Sequence, residues 1–263
     1  AGSIVTRIGE EIVSRVPMSY VATTIVDGDA GNNTITVDSA AIPQAGMIYN
    51  GNGDGDFDVL NVLQNGATAK TLAQNFVNPH DGSVEVDGKT ITYTGLEPID
   101  DTTVVADRTF RFANADDVIT VADTGTTNDG KSQISSVSSS ESVNFIHPTN
   151  STTIDVAGGN NVLNFGPQDT TFTKPLIIAA GNGNDIVQSS VGDLQLANAT
   201  LTKSGGSLTI PSRLVGTTLA AGGAFSLVLS AGAQFSDAVT LGNIGGVTLG
   251  DSVTDVFDFD GGL

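Results

Sequence analysis

Ala157-Gly-Gly-Asn-Asn-Val-Leu-Asn-Phe165 and Ala180-Gly-Asn-Gly-Asn-Asp-Ile-Val187 are two spellings of one phrase, a Gly/Asn/Asp turn running straight into an aliphatic strand. Three more copies stand upstream: Gly28-Asp-Ala-Gly-Asn-Asn-Thr-Ile-Thr-Val37, Asn52-Gly-Asp-Gly-Asp-Phe-Asp-Val-Leu60 and Ala113-Asn-Ala-Asp-Asp-Val-Ile-Thr-Val121. Gly, Asn and Asp accept the left-handed and side-chain-bonded conformations of a tight corner, and Val, Ile and Thr suit a pleated strand. Repetition of such a unit marks a solenoid, in which each coil covers the apolar face of its neighbour.

The last Asn or Asp of each phrase falls at 33, 58, 117, 161 and 185. Steps of 25 and 24 residues suit one coil of two or three strands with corners, and the 44-residue step reads as two coils. The 59-residue step from 58 to 117 requires an insertion, placed near residues 66–85, with a short helix over 66–76. Beyond residue 190, alternation continues in Leu194-Gln-Leu196, Ser207-Leu-Thr-Ile210, Phe225-Ser-Leu-Val-Leu229, Val239-Thr-Leu241 and Val247-Thr-Leu249, read as coils with tighter turns. The expected fold is all-β, a right-handed parallel β-helix (β-solenoid) over residues 19–263. Tandem β-sandwiches are the alternative, since they also use many short strands.

Ahead of this lies a different period. Ile4, Val5, Ile8, Ile12, Val13 and Val16 recur at spacings of three and four, Ser3 stands as an N-cap and Pro17 as a stop. Residues 1–18 therefore read as an amphipathic helix capping the first coil, which would otherwise offer an open edge to other chains. The start, Ala1-Gly-Ser, lacks an initiator Met and a signal peptide, as a processed or excised chain would.

Composition narrows the partners. Ten Lys and Arg stand against 29 Asp and Glu in 263 residues, a net charge of -19. Such a chain repels nucleic acid and anionic lipid, whose phosphates need cations to neutralise them. No apolar stretch reaches the roughly 20 residues of a membrane-spanning helix. Cys is absent, which rules out disulfides and Cys-ligated zinc, and so is Trp, leaving the core to Val, Ile, Leu, Phe and Ala.

The run Ser83-Val-Glu-Val-Asp-Gly-Lys-Thr-Ile-Thr-Tyr-Thr-Gly-Leu-Glu-Pro-Ile99 resembles a segment of very large bacterial extracellular repeat proteins, the hemagglutinin-like and hemolysin-type calcium-binding surface proteins. Glu141-Ser-Val-Asn-Phe-Ile-His-Pro-Thr149, Thr153-Ile-Asp-Val-Ala-Gly-Gly-Asn-Asn161 and Leu176-Ile-Ile-Ala-Ala180 follow in the order those proteins show, so the likeness spans about residues 20–200. It implies an exported, acidic β-helical module of an adhesin or surface-layer-like protein, extracellular or at the cell surface. No catalytic residues carry over from it.

Calcium is the cofactor that the acidic turns suggest, because it selects hard oxygen ligands. Asp54, Asp56 and Asp58, two apart in an extended segment, form the first candidate site. Residues 180–188 nearly fit the nonapeptide G-G-x-G-x-D-x-U-x, with Asp185 in the ligand slot, and residues 28–36 fit less well with Asn33 there. Asp117 joins the candidate ligands. The copies lie a coil apart, so a tandem calcium roll, in which successive turns share each ion, is excluded; each phrase also reads simply as a corner.

Catalysis has thinner support. Asp116-Asp117 is a carboxylate pair of the kind glycoside hydrolysis uses, yet it sits inside a corner phrase, and no basic groove for uronate is evident. His80 and His147 adjoin prolines and read as solvent-facing loop residues without a Ser or Cys nucleophile motif. Thr34-Ile-Thr36 and Thr90-Ile-Thr92 suggest the Thr ladder of an ice-binding solenoid, which Ile119-Thr-Val121 and Val162-Leu-Asn164 break. The leading expectation is a non-enzymatic structural or adhesive scaffold that meets copies of itself, the rest of a longer chain or surface polysaccharide. A carbohydrate-active enzyme is the alternative.

Overall fold

The computed structural model describes the backbone of residues 3–8 and 11–17, and residues 22–263 apart from 53–56, 65 and 67. Among the described residues the fold is all-β. They contain no α-helix, and the single helical turn is the 3-10 segment Ser39–Ala41, capped by the Asp38 side chain.

The N-terminal segment is not the expected helix. Ser3–Ile8 and Glu11–Pro17 pair as an antiparallel hairpin, with Ser3 opposite Pro17 and Ile8 opposite Glu11. The apolar positions fit both periods, but nearly all are β-branched Ile and Val, which lose rotamer freedom in a helix and gain it in a strand, and Gly9 interrupts the run. The register is irregular between Thr6 and Arg7. Residues 66–76 likewise yield a strand, Ala69–Phe76, where a short helix was expected.

The rest of the chain moves back and forth between two sheets of 11 strands, neither closed into a barrel. One contains Thr24–Asp27, Met47–Asn50, Val105–Phe112, Ser151–Val156 and Leu176–Ala180; the other contains Thr34–Asp38, Val59–Leu63, Val118–Asp123, Val162–Phe165 and Asn184–Ser189. From residue 194 a third sheet, of four strands, joins the cycle. Leu194–Gln195, Asn198–Lys203 and Ser207–Ile210 are followed by Leu214–Gly216, Thr218–Gly223 and Ser226–Leu229, each laid in parallel on its predecessor. Parallel pairing of strands so far apart in sequence is unlike the antiparallel sheets of an immunoglobulin-type sandwich.

Two excursions interrupt the parallel order. Gly82–Val86 runs antiparallel between Ala69–Phe76 and Lys89–Thr94, and Lys131–Ser136 does the same between Val118–Asp123 and Val143–Ile146. The second explains the 44-residue step: Val118 pairs directly with Val162, so the step is one neighbour plus a hairpin rather than two coils.

Side chains alternate inward and outward along the strands, as in Ser151–Val156, where Thr152, Ile154 and Val156 are buried. Stacking neighbouring strands turns this alternation into a continuous core, with Phe76 and Phe112 ring centroids 4.9 Å apart and Phe110 and Phe145 4.8 Å apart. Each ring so buried contributes about 1.5–3 kcal/mol. The core also holds Arg108, paired with Asp101 and fully buried. Toward the end of the sequence Ile244, Val253, Val256 and Leu263 are exposed.

Candidate functional site

The recurring Asn and Asp residues stand at one corner and bond from strand to strand. Asp58 accepts the Asn33 amide at 2.7 Å, 25 residues away; Asn161 accepts the Asp117 amide at 3.0 Å, 44 away; Asp185 accepts the Asn161 amide at 2.8 Å, 24 away. Three of the four steps measured along the sequence are thus one hydrogen bond across the strands, and the 59-residue step from 58 to 117 is not. Each side chain satisfies a donor that the corner would otherwise leave unpaired, and such a donor costs about 1–3 kcal/mol when buried. Asp58, Asp117, Asn161 and Asp185 are all buried.

This placement determines what the expected metal ligands do. The Asn33 side chain holds its own turn through Asp29, at 2.7 and 2.9 Å. Asp117 accepts the amide of Val118 at 2.8 Å and the Ser138 hydroxyl at 2.9 Å. Burial alone would raise its pKa, but hydrogen bonds from Ser139, Ser138 and Ser136 and from the Ser138 backbone outweigh it and hold the carboxyl below the usual value. Asp185 is bound on its other oxygen by the Lys203 ammonium, which also donates to the Gly181 carbonyl. These residues follow one another along the corner, one to a strand, and do not converge on a common point. Asp54 and Asp56 lie outside the described residues.

The Thr rank does not continue, since the strand neighbours of Thr34 and Thr36 are Val59 and Asn61. His147 is not a solvent-facing loop residue. Its Nε2 lies 2.9 Å from Ser132 Oγ and its Nδ1 3.0 Å from Thr171 Oγ1, which in turn donates to Asp169 at 2.6 Å. The order Ser, His, Thr, Asp resembles a nucleophile relay, but Ser132 is fully buried and cannot meet a substrate. Burial pushes the His147 pKa down, against the opposing pull of Asp169. Asp169 also accepts the Asp129 amide, and its carboxyl stays low because hydrogen bonds from Thr171 and Asp129 outweigh burial.

A cleft of about 1050 Å³ lies elsewhere, lined by Asp27, Asn50, Asn78, His80, Thr94 and Glu97 among others. His80 sits in the turn before Gly82–Val86. Asn78 Oδ1 accepts the His80 amide at 2.9 Å, and the His80 carbonyl accepts the Leu96 amide at 3.0 Å. The ring is thereby fixed over two acids, with Nδ1 2.8 Å from Glu97 and 3.5 Å from Glu141. Burial and then the nearby Glu97 raise the pKa of Glu141, with His80 opposing. The Tyr93 hydroxyl beneath is driven well above its normal value by burial, by Asp81 and by Glu141. Sequence reading missed this group, because the three residues are brought together only by strand register and the first excursion.

No family model, curated protein or solved structure matches the chain.

Proposed function

We propose that this protein is a non-enzymatic extracellular or cell-surface scaffold, a right-handed parallel β-helix that serves as a structural or adhesive body. The observation that carries the reading is the corner ladder: the Asp and Asn side chains richest in chemical capacity are engaged by backbone amides of neighbouring strands. A chain built this way devotes its polar residues to holding coils in register, and repetition gives length. The negative charge favours a role outside nucleic-acid binding. The resemblance of residues 20–200 to bacterial adhesin repeats points to the same class. Its partners in this reading are copies of itself, the rest of a longer chain, or surface polysaccharide.

Calcium has a restricted part here. In this reading calcium is held by the acidic turns, and Asp185, with one oxygen on the Asn161 amide and the other on the Lys203 ammonium, is not among its ligands. Small-angle scattering is expected to give the cross-section of a rod, and incubation with acidic polysaccharides to release no oligosaccharide. A compact scattering profile would remove the β-helix. Depolymerisation that is lost on Asp117→Asn would replace the scaffold with an enzyme.

A further inference from the structure

We propose that His80, Glu97 and Glu141 form a binding site for one divalent metal ion of the zinc class, a site separate from the acidic corners.

Two carboxylates are forced together by the winding itself. Ile99 pairs in parallel with Val143, and Glu97 and Glu141 each stand two residues before that pair. One carboxylate oxygen of each comes within 4.8 Å of the other, where like charges repel. Among the described residues no Lys or Arg forms an ion pair with either, and the adjoining cleft adds Asp27 and Asp81 without a basic residue other than His80. A cation is what this arrangement lacks. The excursion through Gly82–Val86 delivers an imidazole to the same point, and three hydrogen bonds hold its turn: Asn78 Oδ1 accepts the His80 and Asp81 amides, and Leu96 N donates to the His80 carbonyl.

Donor chemistry selects the ion. The three ligand atoms, the His80 ring nitrogen and one oxygen from each acid, lie within 4.8 Å of one another, and the His80 Nδ1 distances are 2.8 and 3.5 Å. Two donors held about 2.1 Å from one ion stand about 3.0–3.4 Å apart, so small side-chain rotations suffice. Calcium prefers six to eight oxygens, whereas one imidazole and two carboxylates suit zinc and its neighbours. Three protein ligands leave a coordination position free. All three side chains are partly exposed, at 50%, 30% and 23%, so an ion can enter from solvent.

The test is a calorimetric titration of Zn²⁺ at pH 7 into the EDTA-stripped full chain carrying no polyhistidine tag. The expected result is one ion per chain, with affinity reduced by more than about ten-fold in His80→Ala and in Glu141→Gln. Asp129→Asn, in the separate acidic group of Asp123, Asp129 and Asp169, should leave it unchanged, and Ca²⁺ should not compete. Circular dichroism of each variant shows that the fold is retained. Absence of saturable binding, binding that survives His80→Ala, or equal competition by Ca²⁺ overturns the proposal.

Discussion

Asp185 takes the Asn161 amide on one carboxylate oxygen and the Lys203 ammonium on the other, and neither charged side chain is more than 2% exposed. The pair closes the corner ladder. In the next strand Leu208 lies opposite Asp185, and apolar residues take over the position. Removing one partner strands a buried charge, so Lys203→Met is expected to cost about 3–5 kcal/mol. Lys203→Met combined with Asp185→Asn should cost less than the sum of the two, because each single variant strands one buried charge and the double variant strands none. Urea unfolding of the four proteins in a double-mutant cycle gives the coupling. Additive losses would show that the pair does not act as a unit.

Arg108 provides a second, independent case inside the core. It binds Asp101, which also accepts from Gln74 at 3.1 Å, donates to the Thr103 carbonyl at 2.9 Å, and lies 5.5 Å from the Phe145 ring centre. Its counterpart on the outer face, Arg111, is half exposed beside Asp155 at 3.8 Å. Arg108→Ala should therefore cost about 3–5 kcal/mol, while Arg111→Ala should cost under about 1 kcal/mol. Denaturation midpoints of the two variants decide the matter, and similar losses would contradict the buried network.

The contrast shows where the sequence is legible. Strands and corners can be read from β-branched runs and Gly/Asn/Asp turns because each depends on local conformational preference. Residue steps of 25 and 24 anticipate the hydrogen bonds from Asn33 to Asp58 and from Asn161 to Asp185, since parallel pairing of successive strands in one sheet converts sequence distance into strand spacing. Arg108 and Lys203 look in sequence like scattered surface cations, and only pairing reveals them inside. The same holds for Glu97 and Glu141, which are 44 residues apart and adjacent in register. The N-terminal hairpin is hidden in the sequence because its Ile and Val spacing satisfies a helical stripe, while their branching favours strands.

Acid sensitivity follows from carboxyls held low. Asp117 and Asp169 have folded pKa values below the usual 3.8, so the unfolded chain takes up their protons first on acidification. Their contribution is complete above that value and is lost as pH falls through the folded ones. Glu141 has the opposite sign. Its folded pKa lies above the usual 4.5, so its contribution is full below that value and is lost as pH rises through the folded one. Metal-free Glu141→Gln should raise the Tm at pH 7 with no gain at pH 4, and Asp117→Asn should flatten the loss of Tm below pH 3.8. Thermal melts from pH 7 to pH 3 test both, and a Glu141→Gln gain that is independent of pH would refute the assigned cost of ionising a partly buried carboxyl beside Glu97.

Backbone stacking at the same corner yields the last prediction. Gly183 has φ +131°, and a Cβ added there would stand 1.8 Å from the Gly159 carbonyl oxygen in the turn before the neighbouring strand. Two costs coincide, a left-handed conformation and an overlap with main chain that no rotamer can relieve. Gly222, by contrast, has open space around its missing Cβ. Gly183→Ala should destabilise by at least about 1–3 kcal/mol, and Gly222→Ala should be nearly neutral in the same melt. Because the overlap falls between neighbouring turns, hydrogen exchange should rise at Gly159, whose amide donates to the Asn182 carbonyl at 2.7 Å, and at Ser207, whose amide donates to the Gly183 carbonyl at 2.9 Å. An effect confined to residues 181–185 would mean that the corner yields alone and that the stacked strands are not mechanically coupled through it.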